Sequence, residues 1–339
     1  METGKFHQAE SYSGLEEMID KNEQMYLGDI ISSDGKQTKN VLARTNKGLG
    51  IINQIIQILD SVFFGKYHFE VAMILRSSLL LSSILLNSEA WVNLSDKDVR
   101  SLEQTDENLL GKILGCDSNT SNVFKYLELG VCPIRFEIMK RKILFLQYIL
   151  KQDKEAMIFK VLQATKENQI KNDFVQTCEK YLKNLKINMD FKEIGDMTTG
   201  MFKKLVKSKT IKAAFEYLIE KKNDQKKIRD IEYDNLEMQE YLSGGNRNTK
   251  VSQMIYKARG KTLDIKTHKK WKFEDDLCVG CDKNIETVEE LLSCPSFGEH
   301  KSEMSYSQIF GNCVTDMVLV GKELKKRLTI RQKILDEPS

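Results

Sequence analysis

Proline is almost absent from this chain, and its scarcity is the feature that most constrains the fold. Only 3 prolines occur in 339 residues, where an average use of about 5% would give roughly 17. Proline removes a backbone donor and interrupts helices, so a chain nearly free of it can run in long helices. Hydrophobic residues make up 41% of the sequence, which is enough to build a core. The sequence therefore predicts a mainly α, multi-helix protein.

One short β-hairpin is expected near the N-terminus. The segment 25–36 contains Tyr26, Ile30 and Ile31, which favour a strand, and a Ser-Asp-Gly turn signal at 33–35. It is followed by residues with a different hydrophobic period, so the hairpin is predicted to stand alone and not to belong to a larger sheet.

Four helices are predicted after the hairpin. Apolar residues recur at helical spacing from residue 39 and again over 68–87. Ser95 and Asp98 match a capping box, which marks the start of a third helix that stops at Gly115. Pro133 stands where a helix start tolerates it, and a fourth helix is predicted over 134–150.

The length suggests about two domains at ~100–200 residues each, and changes in composition divide the chain further. Short basic amphipathic helices are predicted beyond residue 150. Their expected core positions are Phe202, Leu205, Ala213, Ala214, Tyr217 and Leu218. The predicted segments are a polar N-terminus at 1–24, the hairpin with its helical bundle at 25–150, a basic helical linker region at 151–265, a cysteine-rich module at 266–305 and a C-terminal tail at 306–339.

The most apolar stretch, residues 71–86, is 16 residues long and contains Arg76. It is shorter than the roughly 20 residues needed to cross a bilayer, so a buried helix is the better prediction. The seven cysteines form an odd set, and residues 1–10 lack the apolar core of a secretory signal. We therefore expect an intracellular protein, nuclear or cytoplasmic, with cysteines that are either buried or metal-bound.

The cysteine spacing predicts a zinc site. Cys278 and Cys281 are separated by two residues, Cys294 follows after twelve more, and His300 comes shortly afterwards. Thiolates and imidazole are the usual ligands of zinc, and a two-residue gap lets both sulfurs turn toward one ion. His300 or Glu290 would supply the fourth ligand. The alternative is three buried thiols without a metal.

The middle of the chain is basic. Residues 140–230 contain 22 Lys and Arg against 12 Asp and Glu, a local charge of +10 within a total of +3. Such a region favours a polyanionic partner, and clustered lysines bind phosphates without reading base sequence. The alternative is a set of solvated helix faces. The candidate nucleic-acid-binding residues are Lys36, Arg44, Lys47, Arg135, Lys140, Arg141, Lys203, Lys204 and Lys207.

A polymerase-like motif occurs but lacks the right context. Phe273-Glu274-Asp275-Asp276 is similar to an aromatic-x-Asp-Asp box, in which paired carboxylates hold two divalent ions. That box needs strands on both sides, whereas here it follows a basic segment and runs into the cysteines. We therefore interpret it as a solvated acidic turn. Phosphate-binding glycine loops and the common hydrolase motifs are missing from the sequence.

Several segments, taken in order, resemble the reverse transcriptases of non-LTR (LINE-type) retrotransposons. Tyr26-Leu27-Gly28, with the Ser-Asp-Gly-Lys stretch that ends at Lys36, is similar to the family's Y-L-G-x-x-I-S-x-D-G-K junction after the catalytic palm. Residues 79–91 resemble the family's long apolar helix with its terminal Glu-x-Trp. Residues 102–114 resemble the next helix, and the cysteines with Glu286-Thr287 resemble the Cys/His motif downstream of the thumb.

The resemblance implies a thumb-like helical bundle, a linker and a zinc knuckle, with a role in holding RNA or an RNA–DNA duplex. The family's palm, with its metal-binding aspartates, would precede Tyr26, and only 25 residues stand there. The family's knuckle also carries a histidine near position 290, where this chain has Glu290. The expectation is thus a truncated copy or fragment that binds nucleic acid but does not catalyse. The alternatives are a non-enzymatic helical scaffold for protein interactions, an active polymerase if the gene extends upstream, or an inactive pseudogene product.

Overall fold

The computed structural model describes residues 23–26, 28–62, 67–116, 119–168, 173–243, 248–298, 304–310 and 313–336. The protein is mainly helical, as the sequence predicts. In chain order, the α-helices of these residues are α1 Thr38–Val62, α2 His68–Leu75, α3 Ser82–Ile84, α4 Asp96–Leu114, α5 Asn122–Leu129, α6 Ile134–Leu150, α7 Met157–Asn168, α8 Phe174–Asn184, α9 Phe191–Asp196, α10 Thr199–Asn223, α11 Thr249–Arg259, α12 Val288–Ser293 and α13 Val314–Asp336.

The predicted hairpin is present, but its turn lies earlier than the sequence suggests. Strands β1 (Glu23–Tyr26) and β2 (Asp29–Ser32) pair antiparallel. Gly28, at φ +83°, supports the reversal between them. The Ser-Asp-Gly signal instead forms a second turn after β2, in which the Gly35 amide donates to the Ser32 carbonyl at 3.0 Å. This second turn directs the chain into α1.

Helix boundaries follow the predicted signals closely. At the start of α4, Ser95 and Asp98 form the reciprocal hydrogen bonds of a capping box. The same helix ends at Gly115, which has a left-handed conformation at φ +59°. The fourth predicted helix is α6, which starts directly after Pro133 as expected.

The apolar stretch predicted as one helix contains an irregularity. Between α2 and α3 the chain forms a π-helical turn, Arg76–Leu81. Ser77 and Ser78 donate their hydroxyls to carbonyls four residues earlier, at 2.9 Å each. Within the described ranges, no helix has the length and apolar character that crossing a membrane would require.

The π-helical turn points a charged side chain into the core. Both Arg76 and Asp106 are buried, and Arg76 Nε and Nη2 donate to the two oxygens of Asp106 at 2.7 Å each. Arg76 Nη2 also donates to the Cys132 carbonyl at 3.1 Å, and the Tyr126 hydroxyl lies 3.3 Å from Asp106. The pair therefore joins α2–α3, α4, α5 and the start of α6, with its polar atoms satisfied inside the protein.

Two groups of helices build the molecule. In the first, α1 packs on α2, α3 and α4, while α6 packs on α4, α7, α8, α9 and α10. In the second, α11 and α12 both pack on α13. Of the core positions predicted on α10, Phe202, Ala214 and Leu218 are fully buried, and Leu205, Ala213 and Tyr217 are half-buried against the core.

A buried carboxylate connects the two groups. Glu128 on α5 accepts hydrogen bonds from the hydroxyls of Tyr233 (2.6 Å) and Tyr241 and from Arg259 Nε (3.2 Å). Arg259 ends α11 and also donates to the Ile309 carbonyl at 2.8 Å. Glu128 and Arg259 are both buried, so this network fixes α11 relative to the first group through charge-assisted hydrogen bonds in a low-dielectric interior.

Next to this network, Gly130 allows its own backbone to approach that of Glu237 and Met238 closely. Its φ of +63° is a conformation that favours glycine. A Cβ atom here would also lie 2.1 Å from the Glu237 carbonyl carbon and 2.2 Å from the Met238 nitrogen. Leu129 and Met238 form an antiparallel β-bridge at the same point. Any side chain at position 130 would therefore push the two segments apart.

The segment expected as a tail is an integral part of the fold. The region 306–339 contains a 3₁₀ turn, Tyr306–Phe310, and the long helix α13. Within the predicted linker region, helices α7 to α10 pack on α6, and α11 packs on α13. Both regions thus contribute to the same core as the predicted bundle.

We expect the Arg76–Asp106 pair to dominate the stability of the first group. Arg76→Met leaves a buried carboxylate without its cation and should lower the free energy of unfolding by about 3–5 kcal/mol. The measurement is urea unfolding followed by circular dichroism. Lys160→Met, which removes an exposed ion pair to Glu155, is the control and should cost less than about 1 kcal/mol. The double variant Arg76→Met/Asp106→Leu should recover much of the loss; a single variant as stable as the control would contradict this role.

Candidate metal centre and cationic surface

A narrow turn brings the first two cysteines together. Leu277 and Ile285 form an antiparallel β-bridge, which closes the loop that contains both cysteines. The Cys278 amide donates to the Asn284 carbonyl at 2.7 Å, and the Cys281 amide donates back to the Cys278 carbonyl at 3.3 Å. The two thiols therefore sit on one tight loop, as their spacing predicts.

Gly280 is required here because of a close approach. A Cβ atom at this position would lie 2.7 Å from Ser296 Cβ and 3.0 Å from Phe297 Cζ. Ser296 belongs to the 3₁₀ turn Pro295–Phe297, and its hydroxyl donates to the Gly280 carbonyl at 2.6 Å. The contact presses the cysteine loop against the residues that directly follow the third cysteine.

The third cysteine and a carboxylate complete a four-atom cluster. Cys294 caps the end of α12, and its Sγ lies 3.9 Å from Cys278 Sγ. Glu290 projects from α12, and its Oε1 lies 3.5 Å from Cys281 Sγ. One ligand atom from each of these four residues lies within 4.8 Å of the others, so the cluster could hold a metal ion. It is the only such group of three or more residues found among the ranges that the structure describes.

The thiols of Cys278 and Cys281 differ in their pKa. Burial raises the pKa of the Cys278 thiol to about 12. Amide N–H groups of Asn284 and Lys283 point at the Cys281 sulfur and lower the pKa of that thiol. A cation at the centre would favour the thiolate form of both. Of the two candidates for a fourth ligand, Glu290 lies in the cluster, whereas His300 lies outside the described residues.

Two buried arginines of α13 hold this module, and neither is predicted from the sequence. Arg331 Nε and Nη2 donate to the Glu286 carboxylate at 2.8–3.1 Å. Glu286 is fully buried and also accepts from the amides of Lys266 (2.9 Å) and Val279 (3.3 Å). Because Val279 lies between the first two cysteines, this carboxylate fixes the cysteine loop directly to α13.

Arg327 makes the second attachment. Its Nη1 donates to the carbonyls of Leu291 and Cys294 at 3.2 Å each, and its Nε pairs with Glu323 at 2.6 Å. The side chain thus binds the open carbonyl end of α12, where a cation is favourable. The only sequence signal was two arginines four residues apart in an otherwise lysine-rich helix, which is too common to single them out.

Of the predicted cationic residues, Arg44 is not on the surface. It is buried on α1, and its Nη2 donates to the Gly28 carbonyl at 2.7 Å and to Asp29 Oδ1 at 2.8 Å. Its Nη1 reaches the Ser83 carbonyl at 3.4 Å. Arg44 therefore fastens the hairpin to α1 and α3 and is not placed to contact a phosphate.

Lys36 and Lys47 are both exposed. Lys36 follows the hairpin and pairs with Asp34 at 3.3 Å on the surface. It borders a cavity of about 590 Å³ together with Ser95 and Lys180. Lys47 is exposed on α1.

The charges predicted on α6 are mostly used within the fold. Arg135 forms a two-pronged pair with Glu103 at 2.6 and 2.8 Å and lies over the Tyr217 ring. Lys140 pairs with Glu137 at 2.5 Å. These contacts leave both cations half-buried and paired, so α6 offers little free positive charge.

Two further basic residues of α6 hold the end of the apolar stretch. Arg141 Nη1 donates to the Leu85 carbonyl at 2.8 Å. Lys142, the next residue along α6, is buried, and its Nζ donates to the carbonyls of Trp91 (2.5 Å) and Glu89 (3.1 Å). Both side chains therefore close the turn that follows α3.

The lysines of α10 form the continuous cationic surface. Residues 199–215 contain five lysines and no acidic residue. Lys203, Lys204 and Lys207 are all exposed, and none has an ion pair among the described residues. Because positions 203 and 207 are one helical turn apart and 204 is adjacent, these three side chains extend from one side of the helix. We call this set the α10 lysine face.

The acidic turn is paired to lysines, in agreement with its interpretation as a solvated turn. Asp275 Oδ1 lies 2.6 Å from Lys266 Nζ, and Asp276 Oδ2 lies 2.8 Å from Lys270 Nζ. Each carboxylate is thus paired with its own lysine.

Lys142 should make the free energy of unfolding rise as the pH is raised into the alkaline range. Burial lowers its pKa from 10.5 to about 8. Between these values the unfolded chain binds more protons than the folded protein, so this group's contribution to the free energy of unfolding rises with pH. From pH 7 to pH 10 the wild type should therefore gain about 2–3 kcal/mol relative to Lys142→Met. Urea titrations at both pH values measure this difference. Lys160→Met, at an exposed lysine, should show no such trend, and parallel behaviour of the two variants would contradict the assignment.

Comparison with models of known protein families, with curated proteins and with solved structures finds no match for this chain.

Proposed function

We propose that this chain binds nucleic acid, RNA or an RNA–DNA duplex, through the α10 lysine face, without catalysis of its own. The observation that carries the proposal is the run of five lysines without an acidic residue over 199–215, whose exposed members share one side of a long helix. Clustered ammonium groups of this kind neutralise phosphates and release counterions, which gives affinity that is independent of base sequence.

The geometry of α10 supports a contact to the backbone of a nucleic acid. The helix is anchored by a different part of its surface, where Phe202, Val206 and Thr210 are buried. The exposed lysines are therefore held on a packed helix, and Lys203 and Lys207 are separated by about one turn of 5.4 Å along its axis. The first acidic residue along the helix, Glu216, is already paired with Lys186 at 2.6 Å.

The resemblance to non-LTR retrotransposon reverse transcriptases gives this binding a context. In that family the helices after the palm hold the primer–template duplex, and the α10 lysine face would serve the same purpose here. Polymerisation needs carboxylates that place two metal ions, and Asp275 and Asp276 are each committed to a lysine. We therefore propose that this chain holds the nucleic acid and that polymerisation itself would require a catalytic palm domain.

Zinc is the metal that best fits the cysteine cluster. Two sulfurs bound to one tetrahedral zinc at about 2.3 Å lie about 3.8 Å apart, and a sulfur and an oxygen lie about 3.5 Å apart. The cluster has 3.9 Å between Cys278 Sγ and Cys294 Sγ and 3.5 Å between Cys281 Sγ and Glu290 Oε1. We propose Glu290 as the fourth ligand, with His300 as the alternative. The zinc would be structural, since it would join the cysteine loop to α12.

A second candidate function, a scaffold for protein interactions, is favoured by exposed leucines. Leu42 and Leu49 lie two turns apart on α1, so they share one side of the helix, and both are about half exposed. Leu79 and Leu86 are also exposed on the apolar stretch that packs against α1. Such side chains attract an apolar partner and do not attract phosphates. Salt separates the two functions, because only binding to phosphates weakens steeply with ionic strength.

Charge reversal on the α10 lysine face should weaken nucleic-acid binding uniformly. Lys203→Glu/Lys204→Glu/Lys207→Glu should lower affinity for duplexes of different sequence by a similar factor and reduce the salt slope by roughly one or more per lysine. Fluorescence anisotropy with labelled RNA–DNA duplexes at 50–200 mM salt measures both.

The matched control for this experiment reverses three exposed lysines of α13. These are Lys322, Lys326 and Lys333. The control has the same net charge as the test variant but an intact α10, so it should retain most of the affinity. Equal losses in both variants would mean that overall charge, and not this surface, determines binding, and an unchanged affinity of the α10 variant would contradict the proposal.

The full chain should bind one zinc ion. Cys278→Ser should abolish stoichiometric zinc in elemental analysis, whereas Cys313→Ser, at an exposed cysteine outside the cluster, should leave it intact. Glu290→Gln should lower zinc affinity by at least about tenfold, and His300→Ala should change it little. Wild-type protein with three free thiols and no zinc would contradict the site. The reverse ranking of the last two variants would assign His300 as the ligand.

A further inference from the structure

A cavity of about 590 Å³ is lined by residues of α1, α4, α6 and α8 and of the segment before α4. This volume lies within the range of about 300–1,000 Å³ that is typical of small-molecule sites. Trp91, Leu94, Ile138 and Tyr181 give the lining an apolar and aromatic part. None of the lysines of the α10 lysine face borders the cavity, so a ligand here would be distinct from the nucleic acid proposed above.

A buried cation without a carboxylate partner lines this cavity. Lys142 is 1% exposed, and its Nζ donates to two backbone carbonyls and lies 4.8 Å from the centre of the Phe174 ring. It has no ion pair with any of the residues that the structure describes. A buried ammonium group is costly unless an opposite charge lies near it. An anion in the cavity would supply that charge.

A second buried donor that lines the cavity is unused. Trp91 is 4% exposed, and its indole Nε1 has no hydrogen-bond partner within the described ranges. A buried indole N–H usually finds an acceptor, because leaving it unpaired forfeits the hydrogen bond that it makes in water. Since Trp91 also lines the cavity, an oxygen atom of a bound anion would be a suitable acceptor.

The other charged residues of the lining leave a net positive charge. Lys180 on α8 is exposed and forms no ion pair with the described part of the chain. Lys36 pairs with Asp34 at 3.3 Å, and Asp98 accepts a hydrogen bond from the Ser95 hydroxyl at 2.6 Å. The two carboxylates of the lining are therefore already partnered, whereas two of its three ammonium groups lack a counter-charge. This balance favours an anionic ligand.

Three helices begin at the cavity. Thr38 is the first residue of α1, Ser95 caps α4, and Gln176 belongs to the first turn of α8. The N-terminus of a helix carries a partial positive charge, and phosphates bind readily to such ends. No acidic residue in the first turn of α1 offsets this charge. The helix starts add to the lysines and the indole, and together they favour phosphate among anions.

We propose that this cavity binds a small organic phosphate, with Lys142 and Lys180 as cationic contacts to the phosphate and the Trp91 indole as a hydrogen-bond donor. The apolar part of the lining would contact the organic portion of the molecule, for which the volume leaves room beyond the phosphate itself. The proposal does not rest on nucleic-acid binding, because the α10 lysine face contributes nothing to the lining.

The test uses Trp91 as its own reporter. The chain has two tryptophans, and Trp271→Phe, at a position that is 70% exposed, leaves Trp91 as the sole one. The full-length variant is titrated with phenyl phosphate, with inorganic phosphate and with benzyl alcohol as an uncharged aromatic probe. Phenyl phosphate should change the Trp91 emission along a saturable curve. Inorganic phosphate should bind more weakly, and benzyl alcohol should cause no saturable change.

Substitution of the exposed lysine tests the site without disturbing the core. In the same background, Lys180→Gln should weaken phenyl phosphate binding by about tenfold, since it removes a charge-assisted contact. Lys183→Gln, at an exposed lysine of α8 that does not line the cavity, is the matched control and should bind as the parent does. Lys142→Met should lose binding by at least the same factor, with circular dichroism as the check that it is folded.

Three results would overturn the proposal. They are an emission that phenyl phosphate leaves unchanged, equal binding of benzyl alcohol, and equal affinities of Lys180→Gln and Lys183→Gln. The result is also separable from the proposed function. Charge reversal at Lys203, Lys204 and Lys207 should leave phenyl phosphate binding intact whether or not it weakens the binding of nucleic acid.

Discussion

The buried Glu128 carboxylate is the interaction on which the arrangement of this protein depends. It is fully enclosed, and two tyrosine hydroxyls and Arg259 satisfy it. Burial and the adjacent carboxylate keep the pKa of both Tyr233 and Tyr241 well above the ordinary value, so both phenols remain donors. Because Arg259 ends α11 and α11 packs on α13, the position of the cysteine module relative to the α10 lysine face follows from this one cluster.

Local signals in the sequence predict most of the secondary structure. Capping at Ser95, the stop at Gly115 and the start after Pro133 are short-range effects, and each occurs where it was predicted. The hairpin exists, but Gly28 and not the Ser-Asp-Gly signal makes its reversal, because two turns follow each other and local preference cannot rank them. Part of the cysteine cluster could also be predicted from the sequence, since the two-residue spacing brings Cys278 and Cys281 together before any tertiary contact forms.

Which charged side chains are buried could not be predicted from the sequence, because their burial depends on partners far away along the chain. Arg44 and Lys142 look like surface residues in the sequence, yet each is buried with backbone carbonyls as acceptors. Arg331 meets Glu286 across 45 positions, and neither residue is marked by its neighbours. For the same reason the sequence predicts only a tail where α13 lies: the buried face of this helix includes two arginines, which a hydrophobic pattern counts as polar.

The attachment of Glu286 to Arg331 has a practical consequence for how the candidate metal centre can be isolated. A peptide that stops shortly after Cys294 would contain every proposed sulfur ligand but would leave a carboxylate without its cation and the last carbonyls of α12 without Arg327. A fragment that keeps both attachments must therefore include at least residues 266–331. Gene fragments trimmed by motif boundaries alone would discard the helix that shapes the site.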